Sequence, residues 1–182
     1  KTPKLKIMGI ETAKSSTPMW CRKKLTEGIR TLMTGTEQDV WEFIEASRLE
    51  FNQLPIEEVS FPRGVSDIKK YYNAASIYNK GTPIHVRGSL LYNNYLYKYN
   101  IDKKYPVIQN GEKVKFCYMK LPNIMNENVI SFVSALPKEF NLEDYIDYDL
   151  QFSKSFVEPL GVILDKIGWT TEKVSTLESF FG

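Results

Sequence analysis

Cysteine and histidine are nearly absent from this sequence of 182 residues, which holds two cysteines, Cys21 and Cys117, and one histidine, His85. Two thiols cannot build a disulfide framework, and with one imidazole they cannot fill a four-ligand zinc site, so a structural metal is not expected. Neither cysteine has a partner nearby in sequence, and each reads as a small buried hydrophobe. Long apolar runs are missing too. No stretch approaches the roughly 18 to 20 apolar residues of a membrane-spanning helix, and Lys1-Thr2-Pro3-Lys4 leads into no signal-peptide block, so a soluble, cytoplasmic protein is expected. The glycine-rich phosphate cradles Gly-x4-Gly-Lys-Ser/Thr and Gly-x-Gly-x2-Gly do not occur, nor does any internal repeat or low-complexity tract. What remains is ordinary globular material, 42% hydrophobic and 25% charged, enough for one packed domain with at most a small annex.

Net charge is only +2, but it is segregated along the chain. Residues 1–30 carry +6, residues 31–60 carry −6, residues 61–120 carry +8 and residues 121–182 carry −6. Local clustering, more than the total, decides whether a polyanion is attracted, so two basic blocks could form one basic face. The alternative is a set of solvated faces scattered around the fold.

Thr17-Pro18 marks a helix start, with Met19, Leu25, Ile29, Leu32 and Met33 at helical spacing until Gly35. Thr36 opens a second helix with Glu37 and Asp39 in its first turn and Val40, Trp41, Ile44, Phe51 and Leu54 as its apolar stripe, giving an antiparallel helix pair. A short helix is expected near Ser66 to Tyr72 and a loop around Asn79 to Pro83. A helix should run from His85 to Tyr99, and Gln109 to Glu112 should turn into a strand at Lys113 to Leu121, paired with Val129 to Val133. Leu142 to Leu150 and Ser155 to Ile167 read as helical, the latter interrupted at Pro159. The fold class is therefore α+β, a mostly helical base with a small antiparallel sheet at its tip, near residues 110 to 135.

Groups for catalysis are sparse. Asp147 and Asp149 would share a face on a strand and could hold Mg²⁺, but in the acidic stretch Glu143 to Leu150 they suit the start of a helix better. His85 beside Arg87 suits a hydrogen-bonding or phosphate-contacting role more than that of a general base. Binding features are richer. Lys4, Lys6, Lys14, Ser15, Ser16 and Thr17 gather cations and hydroxyls at a helix entrance, which suits a phosphate backbone. Lys80, His85, Arg87, Tyr92, Lys98, Lys103 and Lys104 mix cations with tyrosines, as a protein tracking a sugar-phosphate chain does, or as a tyrosine-rich core edge with snorkelling lysines does. Leu177, Phe180 and Phe181 put apolar area on the terminus, where it calls for the protein's own core or a partner's groove.

Taken in order, these segments resemble the C-terminal thumb region of family B DNA polymerases from T-even-like bacteriophages. Lys4-Leu5-Lys6-Ile7-Met8-Gly9-Ile10-Glu11-Thr12 followed by Ser15-Ser16-Thr17-Pro18 is similar to the family's passage from palm to thumb. Ile84-His85-Val86-Arg87-Gly88 with Tyr92 resembles its His-x-Arg-Gly helix entry, and Gly111 to Val114 with Leu121-Pro122 resembles its small sheet. Lys154-Ser155-Phe156-Val157 with Pro159-Leu160 is similar to its late basic helix, and Leu177 to Gly182 to its clamp-binding tail. Two departures are Glu158, where relatives commonly carry a basic residue, and a shorter stretch from Leu121 to Asn128.

The resemblance implies a palm-to-thumb lead-in over residues 1–16, a thumb over 17–173 and a sliding-clamp tail over 174–182. It implies that the chain grips double-stranded primer-template DNA through backbone contacts from Lys4, Lys6, Ser15, His85, Arg87, Tyr92 and Lys154, and docks a sliding clamp through Leu177, Phe180 and Phe181. No catalytic or metal-binding residue is implied in this chain; Mg²⁺ would serve the complete polymerase through its palm. Other implied partners are the remaining polymerase domains or a separate polymerase polypeptide, inside an infected bacterial host and without a membrane. The missing initiator methionine agrees with either an excised domain or a polymerase encoded in pieces. The contrasting expectation is a protein-interaction module that does not bind DNA.

Overall fold

The structure, a computed structural model, describes residues 15–172. Along the chain it contains α1 (Met19–Thr34), α2 (Glu37–Phe51), α3 (Ile56–Val59), β1 (Phe61–Gly64), α4 (Ile68–Tyr71), β2 (Tyr72–Asn73), β3 (Ile77–Tyr78) and α5 (Ile84–Lys98). These are followed by β4 (Lys113–Tyr118), β5 (Val129–Phe132), two 3₁₀ turns (Lys138–Phe140 and Glu143–Tyr145), α6 (Tyr148–Phe152), a π-helical stretch (Ser153–Val157) and α7 (Glu158–Asp165). The fold is α+β, and the chain divides into two units, Lys1–Gln53 with Phe152–Gly182, and Leu54–Gln151.

The first unit is helical. Pro18, not Thr17, occupies the position before α1, and no side chain caps that end; the Pro18 carbonyl receives the Arg22 amide. Leu25, Ile29 and Leu32 are buried as their spacing predicts, whereas Met19 and Met33 fall outside the buried stripe and are exposed. Gly35 ends the helix in an extended conformation; a Cβ there would stand 2.6 Å from the Asp39 carboxylate. That carboxylate accepts the Thr36 amide at 2.8 Å while the Thr36 hydroxyl accepts the Asp39 amide at 3.2 Å, a reciprocal cap that satisfies two orphan donors of α2. Helices α1 and α2 run antiparallel, for Trp20 meets Phe51 near one end and Lys24 meets Glu50 beside it, while Gly28 faces Phe43 further along. Phe152 and Phe156 stack at 5.0 Å and fill the space beside Phe51.

The late helix does not break at Pro159. The irregularity lies upstream, where the Glu158 amide reaches five residues back to the Ser153 carbonyl, and Pro159 then occupies the first turn of α7, where a missing amide costs little. This π turn carries Ser155 inward, where its hydroxyl accepts the Cys21 thiol at 3.2 Å.

The second unit is mixed. Its sheet has the order β1-β4-β5, all antiparallel, with Phe61 opposite Phe116 and Phe116 opposite Ser131. Strand β1 was not evident in the sequence; Pro62 sits in it, as edge position allows. Strand β4 ends at Tyr118, earlier than its alternation suggests, and Leu121 beyond it is exposed. The expected helix over Leu142 to Leu150 is instead one 3₁₀ turn and the start of the short α6, because Ile146 bridges Met119 and the Asp147 amide donates to the Tyr118 carbonyl, drawing this segment against the sheet. Asp147 then caps α6 by accepting the Leu150 amide at 3.0 Å. The loop between β4 and β5 is organised by Asn123, whose amide group donates to the carbonyls of Lys120 and Glu127 and accepts the Met125 amide.

Helix α5 lies against β5. A Cβ on Gly88 would come within 2.9 Å of the Ser131 amide nitrogen and 3.1 Å of the Ile130 carbonyl carbon, so helix and strand touch backbone to backbone. The Ser131 and Ser89 hydroxyls both donate to the His85 carbonyl, at 3.0 and 2.7 Å. Gly88→Ala is expected to destabilise the protein by about 1–3 kcal/mol in urea unfolding, the usual cost of overpacking. Gly64→Ala, with nothing near its added methyl, is expected to change stability by less than about 0.5 kcal/mol.

Candidate functional site

Of the ten residues that the resemblance assigns to DNA and clamp contacts, five are described. Ser15 and Lys154 belong to the first unit and both are exposed, Ser15 in a turn ahead of α1 and Lys154 in the π-helical stretch. His85, Arg87 and Tyr92 are carried by α5 in the second unit. Lys4, Lys6, Leu177, Phe180 and Phe181 lie outside the described residues.

Residues two apart on a helix are about 200° apart around it, so His85 and Arg87 diverge. His85 is half-buried, its ring 6.4 Å from that of Phe116. The guanidinium of Arg63 lies 5.5 Å from the same Phe116 ring. Burial and the nearby Arg63 charge push the His85 imidazole below its ordinary pKa, against a weaker upward pull from a bond to the Gly64 backbone. Arg87 turns the other way. Its guanidinium donates to Asn128 at 2.7 Å and to Glu127 at 3.3 Å and lies 5.5 Å from the Tyr78 ring. Glu127 in turn accepts the Tyr78 hydroxyl at 2.9 Å. This network ties α5 to β3 and to the β4–β5 loop and already supplies Arg87 with a counter-charge.

Tyr92 stands apart from the exposed residues. It is 1% exposed, its hydroxyl donates to the Pro106 carbonyl at 2.9 Å and its ring packs edge-on against Phe140. Burial raises its phenol to about 12. It has no surface to offer a phosphate, and its place is the core. Burial likewise raises both thiols to about 12, Cys21 and Cys117 being wholly enclosed.

Arg63 is the residue that sequence reasoning missed. Only the pairing of β1 with β4 brings it beside His85, and the sole local signal was its place in the basic block. Helix α5 starts with Pro83 and has neither an acidic side chain in its first turn nor a side-chain cap. Its free amides and the nearby Arg63 guanidinium make the start of α5 locally positive. Among the described residues no group of three or more histidine, cysteine, aspartate or glutamate side chains is arranged to hold a metal ion.

This is an α+β chain with Arg63 and His85 near the start of α5, and its sequence resembles phage DNA polymerases. Comparison with known proteins finds that similarity directly. The chain is 32% identical over 184 residues to the DNA-directed DNA polymerase of Enterobacteria phage T4, a match covering 99% of this chain and 20% of the relative. It is 32% identical over 183 residues to the DNA-directed DNA polymerase of Escherichia phage RB69, covering 98% of this chain and 20% of that relative. The chain thus spans about a fifth of the length of these curated relatives. No protein-family model matches it.

Because the fold favours neutral His85, the unfolded chain binds the extra proton first as pH falls. Stability is full above about 6.5 and declines as pH drops through that value toward the folded pKa. Urea midpoints measured on either side of this window are expected to drop more in the wild-type protein than in His85→Gln, and NMR titration of the single histidine is expected to give a value below the ordinary one.

Proposed function

We propose that this chain is the thumb of a family B phage DNA polymerase, which grips newly made primer-template duplex through its backbone and tethers the enzyme to a sliding clamp. The observation that carries this proposal is the similarity to phage polymerases along 99% of the chain. Residues 17–173 form the thumb, residues 1–16 lead in from the palm and residues 174–182 are the clamp-binding tail. A polymerase must hold every sequence equally, so contacts to phosphate and sugar serve it better than contacts to base edges. Lys4, Lys6, Ser15, His85 and Lys154 make such contacts, joined by Arg63, while Arg87 contributes less because Glu127 opposes it. Tyr92 supports the helix from within.

On its own the chain grips without polymerising. The Mg²⁺ chemistry belongs to the palm of the complete enzyme, supplied by the other polymerase domains or a separate polypeptide in the cytoplasm of an infected bacterium.

Duplex binding is expected to weaken with salt, log K falling by about 0.9 for each phosphate neutralised per decade of salt. Arg63→Ala and Lys154→Ala should each lower that slope by up to about 0.9, and Arg87→Ala by less. Added duplex should raise the His85 pKa, because a phosphate nearby favours the imidazolium. Duplex affinity indifferent to salt and to all three substitutions would assign the chain to protein–protein interaction instead. Deleting Leu177 to Gly182 is expected to abolish retention on a cognate clamp ring while leaving duplex affinity unchanged; loss of both would place the tail in the core.

A further inference from the structure

The outward side of α5 borders a cavity of about 340 Å³ within the second unit, distinct from the His85 side of that helix. Its apolar walls are Ile68, Leu90, Val107 and Ile108. At its mouth stand Tyr72 and Tyr97, 54% and 59% exposed. Asn94, half-buried, and Lys69, exposed, complete the lining. Among the described residues, no hydrogen bond or ion pair occupies the Asn94 amide, the Lys69 ammonium or the two phenol hydroxyls.

The neighbouring Asn93 shows the opposite state. Its side chain donates to the Ile108 carbonyl at 2.9 Å and accepts the Ile108 amide at 2.8 Å. The backbone at Ile108 is therefore fully satisfied and offers no edge for an extended peptide to pair with. What the cavity does offer is flat aromatic surface, one amide with a free donor and acceptor, and a cation. A second concavity of about 290 Å³ shares Ile68 and Lys69 with the first and adds Lys70 and Asn110, with Asp67 as its one carboxylate. A ligand with a planar ring and a polar edge, continuing into an anionic chain, matches both.

We propose that this cavity binds single-stranded DNA. One base packs against Tyr72 and Tyr97 with its polar edge toward Asn94, and the adjoining phosphates lie along Lys69 and Lys70. Stacking is tolerant of sequence because every base has a π face. The site does not depend on the duplex grip, and the two can be measured separately on the same protein.

The test uses the full chain with a short labelled oligothymidylate and, in parallel, a duplex. Tyr72→Ala and Tyr97→Ala are each expected to weaken oligothymidylate binding at least about fivefold. Lys69→Gln is expected to lower its salt slope by about 0.7, the single-strand value. Duplex affinity should stay within twofold of wild type, roughly the scatter expected of a residue outside the duplex contacts. Thermal melts check folding, and Tyr72→Leu and Tyr97→Leu keep apolar bulk without the ring should either alanine variant unfold. Oligothymidylate binding that is undetectable in the folded wild type, or unchanged in the folded variants, overturns the proposal. So does full displacement by an acidic peptide whose own binding needs the two tyrosines and Asn94, which would make the cavity a peptide site. Duplex binding with its salt slope intact in the same experiment leaves the thumb function standing whichever of these occurs, and its loss with oligothymidylate binding retained would remove the grip alone.

Discussion

The second unit is arranged around the place where α5 rests on β5 without an intervening side chain. Gly88 brings the helix backbone against Ser131 and Ile130, and the Ser131 and Ser89 hydroxyls close the contact by bonding the carbonyl of His85. A helix held this close cannot turn about its own axis, so the direction of every side chain on it is fixed. His85 is thereby committed to the neighbourhood of Phe116 and Arg63, Arg87 to that of Tyr78 and Glu127, and Tyr92 to the core. One missing methyl group governs three residues that sequence alone would have treated alike.

That difference explains what could be read in advance. The helix pair around Gly35, α5, β4 and β5 were legible because apolar spacing and turn chemistry are local properties. Strand β1 and the β2–β3 hairpin were not: both are short, and β1 is held by β4, whose residues are about fifty positions later. The segment before α6 kept its helical spacing in sequence but is pulled against the sheet by Met119 and Tyr118. Among the site residues, Tyr92 was misjudged because a tyrosine in a basic stretch looks the same whether it faces solvent or the core. Its partner is Pro106, beyond the end of the helix. Arg63 was overlooked for the same reason in reverse, since its neighbour His85 is distant in sequence.

The alternation of charge blocks also changes meaning in three dimensions. Opposite blocks partly meet: Lys24 pairs with Glu50, Arg87 with Glu127 and Lys104 with Glu139, each pair joining a positive block to a negative one. Whatever each pair contributes to stability, it cancels the field of its cation. What distinguishes a binding cation is therefore less its block than the absence of such a partner. Arg63 beside an aromatic ring and Lys69 at a cavity mouth meet that condition among the described residues.

Asn123 fastens the β4–β5 connection from its middle, with bonds that reach back to Lys120 and forward to Glu127. The shape of that connection is thus dictated by one amide and not by the residues it displays. Leu121 and Ile124, both largely exposed, can be exchanged over evolutionary time without redrawing the path of the chain. Related chains can vary them to suit a different neighbour while inheriting the same scaffold.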